Sequence, residues 1–452
     1  MLFPEFTFTT ERVTKNRTLA SILSQRVPSV GDGFVPCTVG SQDPDDLVVQ
    51  RLSCLARERF NYFVVGVLEK VLCQASEECE DDGLKIYSTT VVFDKNGYLI
   101  AKYRKFHLID EPALDKAPEL EPTTFKTDSG VTFGLVTGYD LLFAEPTDTF
   151  KKNGVIHYLS MGAWKSVMPF DYGLSVWKGF SVANVGIFLA TANYQRPELG
   201  YTGQGFCLPS GKSSFAYSFE SGSFSSFELV VDEESKIINI VQEKENRSIQ
   251  MEGMDFSRFT AVPVPTDFRN NNSVQVCHGA DFCCTLTYRI IEIPFNNFLA
   301  YKLVAYEGNR TASDGTVLFP EQICGLVACS TADKMSCNAS KEETDYTYST
   351  RFDVLSLTGS FSSRKVVPLA MSGDEFYFPI TSHMILTSSQ IGNRFQFKYE
   401  HDGVSTQQVK FLALSSTDYK IVKNGTFRNI PSMVVFVFSI VITVFLNYRL
   451  KN

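Results

Sequence analysis

The chain has 452 residues and a formal net charge of −8; 44% of them are hydrophobic and 20% charged. That length predicts two or three domains with sizeable cores rather than one. No basic cluster stands out, which argues against nucleic acid as a partner, and the 38 phenylalanines read as core packing rather than as a stacking platform.

Taken in order, the opening run MLFPEF reads as the end of a strand. DPDDLVVQRLSCLARERFN (43–61) has an acidic start followed by apolar residues at helical spacing, which predicts a helix. YFVVGVLEKV (62–71) reads as a buried strand. IYSTTVVFDKNGYLIAKYRK (86–105) reads as a hairpin, two alternating runs joined at Asp94-Lys95-Asn96-Gly97, where Asn-Gly is the turn signal. VTFGLVT (131–137) and GIFLATANY (186–194) are further strands. The alternation predicts an α/β fold, a mixed sandwich of sheets and helices. After about residue 245 strand-like runs dominate: SVQVCHG, CCTLTYRI, FLAYKLVAYEG, GLVACS and FQFKYE. The expected organisation is an α/β domain over 1–245, a β-rich domain over 246–420 and an apolar tail over 421–452.

Eleven cysteines show no spacing for zinc, and no metal site or cofactor is expected. Six N-x-[ST] sequons begin at Asn16, Asn246, Asn271, Asn309, Asn338 and Asn424. Six spread over both halves lean towards an exported glycoprotein, against the plainer reading of unmodified surface asparagines. Export would place some of the cysteines in disulfides and, the count being odd, leave at least one free or paired between chains. Met433 to Leu446 is an apolar run of 14 residues, short for a spanning helix. With the small residues of Asn424-Gly425-Thr426 upstream, it fits the removable tail of a lipid-anchor signal. A short membrane helix, with the closing NYRLKN as its flank, is the alternative, and a buried core helix stands third. Either of the first two makes the membrane a partner and the outer face of the cell, or secretion, the location. No basic region followed by an apolar one opens the chain.

PSGKSS (209–214) lacks the first glycine of a phosphate-binding loop, Phe206 standing there, and reads as a polar turn. The five histidines are scattered without ligand spacing. Three places carry a joint signal. Pro4-Glu5 sets a carboxylate at the end of the opening apolar run, where it could act as a general base. KYRKFHL (102–108) sets lysines just after a strand, where one could donate to a developing oxyanion. Thr137-Gly138-Tyr139-Asp140 ends a buried strand with a sharp change of character, where α/β enzymes often hold a nucleophile.

In this order FPE, YRKFHL and T-x-[FY]-D resemble the carbon–nitrogen hydrolase (nitrilase-like) superfamily, and QRLSCLARE, AKYRKFHL, GAW at 162–164 and YTGQGFCLPSG resemble its vanin and biotinidase branch. The resemblance covers most of 1–230 and extends more weakly through the β-rich half. It implies an α-β-β-α sandwich followed by a β-rich C-terminal domain. It also implies hydrolysis of small amides through a Glu–Lys–Cys triad by way of an acyl-thioester. Motif by motif, Glu5 takes the general-base position and Lys105 the oxyanion position, while Gly138 takes the place of the nucleophilic cysteine. The expectation is therefore a catalytically impaired member with a small amide as ligand; the alternative is an amidohydrolase with a non-standard nucleophile. Strand alternation predicts that Thr137 and Tyr139 point away from the site. Family members carry a signal peptide, a strand and a helix before the PE motif, so by the resemblance either the true N-terminus lies upstream of Met1, which would also account for the missing signal peptide and is preferred, or the sandwich has lost an edge element.

Overall fold

The computed structural model describes residues 1–417 except 32, 75–78, 210–212, 217–229, 232–236, 240–251, 268, 293–299, 312–316, 338–349, 373–383 and 402–406. The sequons at Asn246, Asn338 and Asn424, the tip of the 209–214 turn and the 421–452 tail lie outside the described residues.

Two helices open the chain, α1 (Arg17–Leu23) and α2 (Pro44–Arg59). The Asn16 side chain caps α1 by accepting from Leu19 N at 2.9 Å. α2 begins where Asp43 accepts from Asp45 N, with Pro44 in the first turn, and stops where Phe60 turns left-handed. Its buried residues Val49, Leu52 and Ala56 form a core with Phe63, Val65, Val91 and Phe93. Those belong to a three-stranded antiparallel sheet: β1 (Phe63–Leu72), β2 (Leu84–Phe93) and β3 (Leu99–Arg104). The predicted hairpin is there, closed by Gly97 N donating to Asp94 O at 3.0 Å.

The opening run is not a strand. Leu2 makes a single parallel bridge to Val64, with Phe3 N donating to Val64 O at 2.8 Å. Pro4 has no N–H to continue the ladder, and Phe6 turns the chain with φ 56°. Beneath this segment Gly66 of β1 explains itself: a Cβ there would lie 2.7 Å from Glu5 Cα and 2.8 Å from Pro4 O.

A second sheet contains β4 (Thr124–Lys126), β5 (Thr132–Thr137), β6 (His157–Gly162), β7 (Phe188–Asn193), β8 (Gln204–Cys207) and β9 (Ser213–Ala216). They lie in the order β9-β8-β7-β6-β5-β4, with β5, β6 and β7 parallel at the centre. Val64 and Val92 of the first sheet meet Leu135 and Met161 of the second. The outer face of the second sheet is covered by α3 (Thr147–Lys152) and α4 (Gly173–Ala183). The layers are helix, sheet, sheet, helix: the α/β sandwich of the nitrilase type.

The β-rich half is a ten-stranded network around its own core, running through Phe282–Glu292, Ala300–Thr311, Val317–Cys329, Arg351–Phe361 and Gln407–Ser416. It packs against the sandwich through a shared core, and residues 1–419 form one compact unit. α4 lies between the second sheet and the strand Val367–Ser372, with Ser175 Oγ donating to Ala370 O at 3.1 Å. Five disulfides pair Cys37–Cys54, Cys73–Cys79, Cys277–Cys283, Cys284–Cys324 and Cys329–Cys337, leaving Cys207 free and buried. Among the described residues no helix is long and apolar enough to cross a membrane.

Candidate active site

Three segments distant in sequence converge where the two sheets end. Glu5, almost fully buried, accepts from Ser88 Oγ at 2.8 Å, from Ala163 N at 3.0 Å and from Lys105 Nζ at 3.2 Å. Lys105 follows β3, its own N–H donating to Ser88 O at 2.9 Å. Gly138 follows β5 with φ +53° and begins a 3-10 turn, Gly138–Leu142. A Cβ on Gly138 would stand 2.8 Å from Glu5 Oε2 and 2.8 Å from Lys105 Nζ. The three residues picked out by motif thus occupy one spot, and any side chain at 138 would emerge between the carboxylate and the ammonium.

Two further carboxylates complete the spot. Glu111 lies 2.9 Å from Lys105 Nζ, which also reaches Glu5 Oε1 at 3.2 Å. Burial raises the Glu111 carboxyl, Lys105 pulls it back and Glu5 pushes it up again, to about 7. Burial lowers the Lys105 pKa, but Glu111 and Glu5 more than offset this and leave it raised, so Lys105 is an ammonium. No pattern marks Glu111: six residues beyond Lys105, in an irregular segment, it has neither helical nor strand spacing to the rest. Asp140 is the second. It accepts from Tyr103 Oη at 2.7 Å, from Phe106 N at 3.2 Å and from His107 N at 2.8 Å, and its Oδ1 lies 2.6 Å from His107 Nδ1. The elbow that carries Gly138 therefore clamps the loop that carries Lys105.

Thr137 does point away: its hydroxyl pairs with Thr90 Oγ1 at 2.9 Å between the sheets. Tyr139 does not. The chain leaves strand geometry at Gly138, alternation lapses, and Tyr139 lines the cavity, packed against Trp164 with 4.3 Å between centroids and the rings tilted by 31°. Asn193 holds the Trp164 backbone from both sides, accepting from Trp164 N at 2.6 Å and donating to its O at 2.9 Å.

Lys105, Glu111 and Tyr139 form part of the wall of a cavity of about 680 Å³, within the usual size for a small-molecule site. Its far wall comes from the β-rich half, with Phe259, Tyr306, Arg310 and Phe319. Arg310 pairs with Asp171 at 2.6 Å and Glu321 at 3.1 Å. Burial raises both carboxyls, and Arg310 pulls each back. No sequence signal marks Arg310, because its partners lie in both halves. Among the described residues no cysteine lines this cavity. Among the other predicted site residues, Asn16 and Asn271 are exposed, whereas Asn309 lies half-buried in a strand with its Oδ1 shielded from solvent.

Residues 1–178 match the carbon-nitrogen hydrolase family and residues 249–422 the vanin C-terminal domain. A pantetheinase of Sus scrofa is 31% identical over 360 residues, covering 77% of this chain and 67% of its own length. A biotinidase of Takifugu rubripes is 30% identical over 385 residues, covering 79% and 74%. A pantetheinase of Homo sapiens is 28% identical over 418 residues, covering 86% and 79%.

Proposed function

The chain belongs to the carbon–nitrogen hydrolase family, in its vanin and biotinidase branch, and from that premise we propose that it is an amide-binding member in which the nucleophile is lost. The observation that carries the reading is the direction of the missing side chain at Gly138, between Glu5 Oε2 and Lys105 Nζ at 2.8 Å each. A thiol there would have a carboxylate to take its proton and an ammonium beside the oxyanion it generates. Glycine offers neither a nucleophile nor a leaving group, so no acyl-thioester forms and the covalent route is closed. The neighbours do not substitute. The Thr137 hydroxyl is tied to Thr90, and burial holds the Tyr139 phenol well above its ordinary pKa. Cys207, the remaining thiol, is buried against Trp177 O and pushed up to about 12 by burial.

The names of the relatives suggest pantetheine and biotin amides as first ligands to try. Purified chain incubated with pantetheine should release amine no faster than buffer. Turnover that disappears in Glu5→Ala or Lys105→Ala would sink this reading and favour an amidohydrolase with another nucleophile. The same reading places the chain on the export route, supported by the sequons and by ten cysteines in disulfides. In it the 421–452 tail serves as a lipid-anchor signal or a short membrane helix at the outer face of the cell.

A further inference from the structure

Among the described residues the strand network of the β-rich half has four open edges, and three of them are blunted. Thr260–Pro263 is four residues long and closes on a proline. Asn272–His278 follows directly on the sequon at Asn271. Val367–Ser372 carries Pro368 and lies against α4. Met384–Ile391 has none of these devices. Its sequence, MILTSSQI, is eight residues without a charge or a proline, and it pairs on one side only, with Arg394–His401. Such an edge is a ready template for another strand. Ile385 and Ile391, on this edge, are 50% and 61% exposed. The backbone fixes which groups are open. Gly392-Asn393, with Gly392 at φ 60°, is a two-residue turn, and the pair flanking such a turn, Ile391 with Arg394, is a hydrogen-bonded one. Along the strand Ile385, Thr387, Ser389 and Ile391 therefore direct their N–H and C=O groups to Arg394–His401. Leu386, Ser388 and Gln390 turn theirs outward, and among the described residues no backbone group meets them.

We propose that Met384–Ile391 is a self-association edge, through which two copies of this chain join antiparallel as a two-fold dimer with one continuous sheet. The sequence of the strand is self-complementary in one register. Ile385 and Ile391 lie on the same face, at equal distance on either side of Ser388. With the two-fold axis at Ser388, Ser388 meets Ser388 of the partner subunit and Leu386 meets Gln390 of the partner subunit. Both are hydrogen-bonded pairs, so every outward N–H and C=O finds its complement. Ile385 then meets Ile391 of the partner subunit in a non-hydrogen-bonded pair, where side chains approach most closely. A shift of two residues keeps the hydrogen bonds but parts the isoleucines, and a shift of one loses both. Charge agrees with this register. Ile385 lies beside Glu400 and Ile391 beside Arg394 within the hairpin, so each isoleucine pair is flanked by opposite signs. The seam is one strand long and falls short of the roughly 1,200 Å² of a stable complex, so the dimer is weak, with a Kd on the order of 10–100 μM. It stands apart from the amide site and does not depend on how that site is read.

Cross-linking tests the register. Full-length Ile385→Cys and Ile391→Cys chains are purified separately, then mildly oxidised alone and as a mixture. The native cysteines are in disulfides or, as Cys207, buried, so a link through the new thiols stands out on a non-reducing gel. The mixture should form a disulfide-linked dimer several-fold faster than either chain alone, because position 385 faces position 391 of the other copy and never its own equivalent. Sedimentation of the parent chain should show a dimer that grows with concentration up to about 0.5 mM. Ser388→Pro should abolish it with little change in the thermal midpoint: the proline removes an outward N–H, and edge strands tolerate proline there. Association through another surface would survive Ser388→Pro and would link either thiol variant alone as readily as the mixture; that result overturns the proposal. A parent chain that stays monomeric at the highest concentration overturns it too, and leaves the edge to a foreign strand or to solvent.

Discussion

Gly138 is the residue on which the proposed loss of chemistry turns. Its φ of +53° lies in the left-handed region, where an L side chain costs about 1–2 kcal/mol. Gly138→Cys should therefore lower stability by about that amount, with some further crowding against Glu5 and Lys105, whose side-chain ends lie 2.8 Å from the new Cβ. The compensating expectation is chemical. A thiol beside the Lys105 ammonium has a lowered pKa, so the variant should take up iodoacetamide at a rate the parent does not show. A folded variant whose new thiol stays inert would remove the basis for reading this spot as the nucleophile position. Glu111 supplies a second residue-scale outcome. Its folded pKa of about 7 lies above the ordinary 4.5. A raised carboxyl favours the folded state below pH 4.5, and that contribution is lost as pH rises through 7. Unfolding free energy should fall between pH 5 and pH 8 by up to about 3 kcal/mol from this group. Glu111→Gln should flatten that slope, as read from urea titrations at the two pH values. Asp171 and Glu321, also raised, act in the same direction and remain in the variant, so the slope should shrink without vanishing.

Among the elements, α4 shows how the two halves are joined. Every residue from Gly173 to Ser181 is buried, which a helix on the surface of an isolated sandwich would not permit. The reason is visible at Gly179. A Cβ there would lie 1.9 Å from Pro368 O and 2.8 Å from Val367 Cγ1, so backbone rests directly on backbone. Gly173, in the first turn of the same helix, has its nearest contact at an ordinary 3.5 Å, from Ser166 Oγ. Gly179→Ala should therefore cost roughly 1–3 kcal/mol or more through overpacking. Gly173→Ala should stay within about 0.5 kcal/mol of the parent. Chemical denaturation of the two variants side by side checks the pair. Similar midpoints would mean that the helix and the strand Val367–Ser372 are not in close contact.

For the whole molecule, cysteine pairing makes a countable expectation. Five disulfides use ten cysteines, and Cys207 is buried. Native protein should incorporate no alkylating label, and unreduced protein unfolded in guanidinium should incorporate one label per chain, at Cys207. Mass spectrometry of the labelled peptides reads both. More than one label in the unreduced state would mean that one of the five bridges does not form, and with it would go part of the support for an oxidising compartment. The longest of these loops, Cys284–Cys324, joins two strands of the β-rich half and should contribute the most to stability in the chain-entropy picture.

The sequence alone determined the elements whose signal is local. The α2 helix, the 86–105 hairpin and the strands at 131–137 and 186–194 follow from period, caps and turn residues that act within a few positions. It also determined that Glu5, Lys105 and Gly138 belong together, because three short motifs in fixed order carry that information. What it could not determine depends on residues far apart in the chain. Pro4 ended the opening run after one bridge, although its apolar character suggested a strand. Tyr139 turned into the cavity because a positive φ at Gly138 broke the alternation on which the opposite expectation rested. Glu111 and Arg310 have no motif, since their roles come from burial and from partners up to 139 residues away in sequence. The convergence of sandwich and β-rich half on one cavity is likewise a matter of packing: α4 has apolar and small residues on every side, and only the folded chain specifies which surface each of them meets.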